Sequence, residues 1–262
     1  MKMGTIALLT DFGLNDNFVG VMKGVIYQIN PEAKIIDICH EVESHNIIEA
    51  AFLLKSSYHY FPAGTIFLIV VDPGVGTGRK ALIVETKKYL FVAPDNGILS
   101  FLAEGEMRKI IQIANEEYFL QPVSRTFHGR DIFAPVAAHL SRGEKAGNFG
   151  PTIKKIEKLN FSEPQVKNNR LTGEVVYVDH FGNLITNINE DVFLRFIGSR
   201  KFQIVIGKLK ISKVSSSYED GRDGSPIAIF GSFNNLEISF YRDDASRRLD
   251  LSKGSKVYVH LE

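Results

Sequence analysis

The sequence holds one cysteine, Cys39, in 262 residues. A single thiol excludes an internal disulfide framework and fits a reducing compartment, so a cytoplasmic location is expected. An excess of charge of one sign is also missing. The chain carries 31 Lys and Arg against 30 Asp and Glu, a formal net charge of +1. That balance gives no electrostatic bias toward nucleic acid or membrane, and neither is expected as a partner. Long hydrophobic runs are absent. The opening MKMGTIALLTDFG reaches Asp11 after an apolar stretch too short for a signal-peptide core or a transmembrane span. There is no internal repeat and no low-complexity tract. Among seven histidines no His-x-His or His-Glu-x-x-His occurs, and His40, His45 and His59 are scattered, so no metal is expected.

What is present is an ordinary globular composition, 44% hydrophobic and 23% charged, long enough for one large domain or two modest ones. Up to about residue 150, strand and helix patterns alternate. Thr5–Thr10 is a short apolar run suited to a buried strand. Phe18, Val21, Met22, Val25, Ile26 and Ile29 then recur at spacings of three and four, the apolar stripe of a helix that ends before Pro31. Lys34–Ile38, Thr65–Val71, Ala81–Glu85 and Tyr89–Val92 read as strands. Ile47 to Tyr58 reads as a helix, and Gly129 to Leu140 as another interrupted by Pro135. This alternation predicts a mostly parallel α/β sheet covered on both faces. After about residue 165 the helical patterns fade into short strand-like runs punctuated by Gly207 and Asn234-Asn235, which predicts a small antiparallel β-barrel or sandwich. The expected domains are 1–160, an α/β domain, and 170–262, a β-barrel domain, joined through a polar stretch carrying Pro151 and Pro164.

Asp11, Asp72 and Asp95 each stand just past a strand run. Ligands of open α/β sheets bind outside the carboxyl ends of the strands, so three acids there mark a candidate site. Asp-Phe-Gly, Asp-Pro-Gly and Asp-Asn-Gly are also good turn sequences, which is the plainer account of each alone. The stretch 70-VVDPGVGTGR-79 looks like a phosphate loop and fails as one. Gly74 to Gly78 encloses three residues where a Walker loop needs four, and Ala81 stands where that loop needs a hydroxyl. Read as a dinucleotide fingerprint, it has Arg79 in place of the third glycine and leads into a strand. His128 stands just before a helix start beside Gly129, Arg130 and Asp131.

TDFG at 10–13, DICHEV at 37–42, VVDPGVGTGR at 70–79, APDNG at 93–97, FHGRDIFAP at 127–135 and VDHFGNLITN at 178–187 together resemble the S-adenosylmethionine hydroxide adenosyltransferases, or SAM hydrolases, relatives of the fluorinases and chlorinases. The resemblance spans essentially the whole chain. It implies an α/β N-terminal domain, a β-barrel C-terminal domain and a homotrimer with sites between the N-terminal domain of one subunit and the C-terminal domain of the next. It implies attack of water on the ribose 5′-carbon of SAM, giving adenosine and L-methionine, with SAM as substrate and no cofactor. The family's water-activating aspartate, arginine and histidine fall on Asp72, Arg79 and His128. Asp11 falls on the acid that accepts the ribose hydroxyls, Asp179 on the acid that receives the methionine ammonium, and Asn183 on the residue reading the adenine edge. Tyr218 lies where an aromatic ring meets adenine, and Ser232, followed by Phe233, falls on the serine at the methionine carboxylate. Fluorinases have tyrosine where Asp72 stands and threonine where Val75 stands, and the lost hydroxyl removes a halide contact, so the resemblance argues against halogenation; they also have arginine where Phe233 stands, a departure that bears on the methionine carboxylate. A halogenase and a SAM- or adenosine-binding module without turnover are the alternatives.

Overall fold

The computed structural model describes residues 4–262; residues 1–3, part of the opening segment read above for a leader, lie outside it. The chain divides into two compact units between Asn160 and Phe161.

In the first unit the elements run β1 (Thr5–Thr10), α1 (Phe18–Ile29), β2 (Lys34–Cys39), α2 (Ile47–Ser57), β3 (Ile66–Val70), β4 (Ala81–Glu85), β5 (Leu90–Pro94), β6 (Lys109–Gln112), α3 (Ala134–Ser141) and β7 (Thr152–Ile153). They form a seven-stranded sheet in the order β2-β1-β3-β5-β4-β6-β7. Connection length explains its two halves. Helical crossovers α1 and α2 link β1, β2 and β3, so these strands pair in parallel, and β5 joins β3 in parallel because β4 reverses the chain between them. β4 and β5 are joined by a tight turn in which Thr86 N–H donates to Tyr89 O at 2.9 Å, and a turn that short allows only an antiparallel pair. From there outward β4, β6 and β7 are antiparallel.

Alternation along the strands divides the core. Ile6, Leu8, Leu68 and Val70 pack with Met22 and Ile26 of α1 and with Ala134, Ala137 and Ala138 of α3. Phe67 and Phe91 stack with centroids 5.1 Å apart, Tyr58 and Phe101 meet Phe91 at 6.0 and 6.3 Å, and Tyr58 and Phe101 meet each other at 5.5 Å. β1 and β3 are buried along almost their whole length, as strands covered on both faces must be.

The helix expected from Gly129 to Leu140 is two structures. Gly129–Phe133 is a wide π turn closed by Ala134 N–H donating to Gly129 O, and α3 begins after it. Proline has no N–H to offer the carbonyl four residues back, here that of Asp131. Leu120 N–H fills that place, donating to Asp131 O at 2.9 Å.

The second unit runs β8 (Gln165–Lys167), β9 (Arg170–Val178), β10 (Leu184–Asn189), α4 (Glu190–Ile197), β11 (Phe202–Ile206), β12 (Leu209–Ile211), β13 (Ile227–Phe230), β14 (Asn235–Ser239), α5 (Ala245–Leu249) and β15 (Lys256–Leu261). All its described pairings are antiparallel, in the order β12-β11-β15-β9-β10-β14-β13 with β8 on β9, and the sheet is nearly barrel-shaped. β9 makes the curvature. Arg170–Glu174 pair with β15, and Val175–Val178 pair with β10. Gly173 sits at this changeover, where a Cβ would lie 2.5 Å from side-chain atoms of Asn187 and Ile188. The fading of helices after residue 165 was incomplete: α4 is a two-turn helix capped by Asn189, whose side chain accepts from Asp191 N–H at 3.0 Å. It buries Phe193, Phe196 and Ile197 against the sheet's inner face.

Candidate active site

Strand register assembles the first part of the site. Thr10 pairs with Val70 across β1 and β3, so Asp11 and the Val71-Asp72 segment leave adjacent parallel strands at the same, carboxyl end. A cavity of about 280 Å³ opens there, lined by Asp11, Asp72 and His128 together with Phe12, Phe18 and His45, among others. Such a strand-end crevice is where open α/β sheets hold ligands. The Asp11 side chain is only 7% exposed, and its Oδ2 accepts the His45 N–H at 2.8 Å. The turn behind it is pinned by Gly13 N–H donating to His40 O at 2.7 Å.

The loop from β3 to β4 is a run of tight turns. Val75 N–H donates to Asp72 O at 3.2 Å, and Thr77 donates to Gly74 O through both N–H and hydroxyl, at 3.2 and 2.7 Å. This folds Arg79 back onto Asp72. Arg79 Nε lies 2.9 Å from both Asp72 carboxylate oxygens, and Arg79 Nη2 also donates to Asp72 Oδ2. The same Nη2 lies 2.9 Å from His128 Nδ1. The pair is buried, with the Arg79 side chain 10% and that of Asp72 5% exposed. Asn96 Nδ2 donates to Val71 O at 2.8 Å and holds the start of the loop. Arg79 therefore stands behind Asp72 and His128, which face the cavity, and its guanidinium lies 5.1 Å from the centroid of Phe133.

The arrangement fixes the state of His128. Arginine only donates, so His128 Nδ1 must be the acceptor and the ring proton sits on Nε2. Burial pushes the imidazole below its ordinary value, and the Arg79 charge pushes it further, against the opposing pull of Asp72 and Asp131. His128 is thus a neutral Nε2–H donor. Its segment is anchored by Asp131, which is fully buried, accepts Ser124 N–H at 2.7 Å and pairs with Arg130 at 2.6 Å. The sequence reading placed Asp131 beside His128 without giving it a role, and it passed over the aromatic wall: Phe12, Phe18 and Phe127 meet pairwise at 5.2–5.8 Å, two of the three contacts edge to face. Phenylalanine in each of the motifs TDFG and FHGRD was the available signal.

Asp95 does not join the other two acids at the cavity. It is buried, and its Oδ1 accepts Glu157 N–H at 2.8 Å, so this third strand-end acid is used to hold the chain that follows β7. Burial raises its carboxyl above the usual value, with the Glu157 N–H opposing that shift.

The remaining sequence-predicted residues lie in the second unit. Asp179 closes the β9–β10 turn, accepting N–H bonds from Phe181 and Asn183 on Oδ1 and the Asn183 amide on Oδ2, all at 2.9 Å. The Tyr218 hydroxyl donates to Glu237 Oε1 at 2.8 Å, and Ser239 donates to the same oxygen at 2.6 Å. Burial drives Glu237 above the usual carboxylate range, with Asp179 adding to the shift. Tyr218 is raised by burial and then by its bond to Glu237. Ser232 is exposed in the β13–β14 turn, and the neighbouring Phe233 ring lies 6.4 Å from that of Tyr177. Glu237 was not anticipated, because an acid inside a strand pattern reads as solvent-facing.

Among the described residues, no group of three or more His, Cys, Asp or Glu is placed to hold a metal ion, and no helix is long and apolar enough to cross a membrane. A ligand cavity at parallel strand ends, with a buried acid–arginine–histidine chain in its wall, defines an α/β enzyme with an appended antiparallel β unit. Residues 6–150 match the SAM hydroxide adenosyltransferase N-terminal domain, and residues 173–258 match the corresponding C-terminal domain. The chain belongs to the SAM hydroxide adenosyltransferase family. It is 37% identical to an (R)-S-adenosyl-L-methionine hydrolase of Methanocaldococcus jannaschii, over 97% of this chain and 95% of that protein. A fluorinase of Actinopolyspora mzabensis is 27% identical over 71% of this chain and 72% of its own length. Among solved structures, an uncharacterized conserved protein from Thermotoga maritima is 42% identical, with a TM-score of 0.91 over 97% of this chain and 99% of its own.

Proposed function

We propose that this protein hydrolyses S-adenosyl-L-methionine to adenosine and L-methionine by in-line attack of water on the ribose 5′-carbon. The observation that carries the reading is the Asp72–Arg79–His128 chain, with its acid and its imidazole in the wall of the same cavity as Asp11. A sulfonium departs as a neutral thioether and needs no acid. The demand falls on the nucleophile, because bulk water has a pKa of about 15.7.

The two lining groups are complementary toward one water. His128 Nε2–H donates to its oxygen, and the Asp72 carboxylate accepts one of its protons. A lone pair is thereby left for carbon. As the C–O bond forms, the C–S electron pair passes to sulfur, and the water proton passes to Asp72. Arg79 touches neither water nor carbon in this scheme. It holds both partners and offsets the buried carboxylate charge, since an unpaired charge there is costly. General-base assistance of this kind is worth about 10²–10⁴-fold, and orientation along the displacement line adds to it.

In the second unit, Asp179 is assigned to the methionine ammonium. Asn183, whose amide nitrogen is tied to Asp179, keeps Oδ1 as an acceptor for the adenine amino edge. Tyr218 is assigned to stack on adenine, and Ser232 with Phe233 to the methionine carboxylate. A homotrimer is part of the proposal, and light scattering near three times 29.3 kDa checks it.

The primary test incubates the protein with SAM in ¹⁸O-water, with and without chloride, using both sulfonium epimers because the archaeal relative is named for the R form. Label in the 5′-oxygen of adenosine, free methionine and indifference to chloride support hydrolysis. Chloride-dependent 5′-chloroadenosine would move the assignment to a halogenase, and intact SAM of both epimers to a binding module.

A further inference from the structure

Side chains alternate along β14. Leu236 and Ile238 belong to the hydrophobic cluster inside the curved sheet. Glu237 and Ser239 take the opposite face, where an acid should meet water. Both are buried instead, Glu237 at 4% and Ser239 at 0% exposure. The short helical turn Tyr218–Gly221 covers this face. A Cβ on Gly221 would fall 2.6 Å from Ile227, and Ile227 of β13 pairs with Ser239.

Tyr218 is oriented against the usual habit of a surface tyrosine, which buries its ring and keeps its hydroxyl in water. Its hydroxyl donates inward to Glu237 Oε1 at 2.8 Å, while the residue stays 42% exposed. The ring stands at the surface with its tip tied down. Ser239 donates to the same oxygen at 2.6 Å. Glu237 Oε2 lies beneath Gly231, where a Cβ would approach it to 2.4 Å. The groups that act on this carboxylate are the two hydroxyls and the like charge of Asp179, with no cation among them. A buried acid met in this way burdens the fold, and an apolar residue of similar volume would serve stability better. What the acid supplies is a fixed, strong acceptor for the Tyr218 hydroxyl.

We propose that Glu237 is a positioning residue for nucleobase binding: it holds the Tyr218 hydroxyl inward, fixes the plane of the exposed ring and so presents a prepared face to a flat heteroaromatic base. The proposal rests on the hydrolase reading for the base and for Tyr218 as its stacking partner, and it adds an acid that itself touches no substrate. The gain is in ordering. An untethered ring on a surface turn must be immobilised when the ligand arrives, and a tethered one is immobilised beforehand.

The test is a double-mutant cycle on the full chain, with adenosine affinity read by calorimetry and unfolding temperature followed in parallel. Tyr218→Phe keeps the stacking ring and removes the tether, so adenosine binds about 3- to 10-fold more weakly. Glu237→Ala removes the other end of the tether and gives a loss of the same size. The double variant binds no more weakly than the weaker single one, because the acid then has no hydroxyl to hold. Glu237→Gln keeps an acceptor oxygen for both hydroxyls and stays within about threefold of wild type. In turnover each tether-breaking variant raises KM for SAM and leaves kcat within about twofold, because the ring lies off the reacting atoms. A purely structural acid would lower the unfolding temperature and weaken adenosine alike in both backgrounds, so losses that multiply in the double variant overturn the proposal. A loss confined to kcat overturns it as well. Unchanged adenosine affinity in Tyr218→Phe does the same, and that arm stands even if Glu237→Ala fails to fold. Failure of the wild-type protein to bind adenosine at all would instead count against the hydrolase reading.

Discussion

At the scale of single residues, Arg79 is the least replaceable group in the site. Its planar fork meets Asp72 through Nε and Nη2 and His128 through Nη2. Lysine keeps the charge but offers a point donor on a flexible stem, which cannot satisfy both partners in one geometry. Arg79→Lys is expected to fold, to lower kcat by about 10²–10⁴-fold and to change KM little, because the guanidinium stands behind the cavity wall. Steady-state kinetics check this, and a rise in KM at constant kcat would mean that Arg79 meets substrate directly. His128 carries a pH prediction. Its pKa in the folded protein is lowered by burial and by Arg79. Between that lowered value and the ordinary value of about 6.5 the unfolded chain binds a proton that the native site refuses, so this group's stabilising contribution is full above about 6.5 and fades as pH falls through the native value. The neutral donor persists over the same window. The acid limb of kcat governed by His128 is therefore expected below pH 6.5, and a limb centred above that value would contradict the assigned state.

At the scale of elements, the site depends on how closely the β3–β4 loop approaches the segment carrying His128. Gly76 makes that approach possible: it sits at φ +75°, and a Cβ there would fall 2.2 Å from Arg125 O, a backbone atom that cannot swing aside. Gly76→Ala combines a left-handed penalty of about 1 kcal/mol with this clash, so the loop must move away from the 125–128 segment. The expected result is loss of most activity with circular dichroism close to wild type. Full activity would show that the loop accommodates the methyl without parting Arg79 from His128. The strands around this site were legible because buried strands, parallel or antiparallel, announce themselves as short apolar runs, and β1, β3, β4 and β5 fall within two residues of the expected bounds. The π turn was not legible. Pro135 signals an interruption, but only the donor that satisfies Asp131 O decides its form, and that donor, Leu120, is remote from the helix pattern. α4 was missed for a related reason: two turns in a strand-rich stretch give one apolar stripe, and the Asn189 cap with Glu190 and Asp191 behind it was the only further signal. Of the three strand-end acids, Asp11 and Asp72 converge and Asp95 does not, because cavity membership depends on the partner each carboxylate finds across the fold.

At the scale of the whole molecule, each unit carries its own hydrophobic cluster, one between the seven-stranded sheet and α1 and α3, the other inside the curved antiparallel sheet. Stability is then expected to be lost unit by unit. Phe193 tests this. It is fully buried in α4 and packs edge to face with Phe202 and Phe230 at 5.2 and 5.3 Å, so it joins the helix to two strands of the second unit. Phe193→Ala removes a large side chain from a closed core and costs about 3–5 kcal/mol. Hydrogen exchange followed by mass spectrometry is expected to show lost protection in β9 to β15, while β1, β3 and β5 keep theirs. Loss of protection in both sheets to the same degree would mean that the chain opens as one cooperative body. The distinction bears on the enzyme reading as well. With independent opening, Phe193→Ala should weaken SAM binding through the methionine- and adenine-contacting residues assigned to the second unit, while the Asp72–Arg79–His128 chain in the first keeps its geometry and the pH profile of kcat keeps its shape.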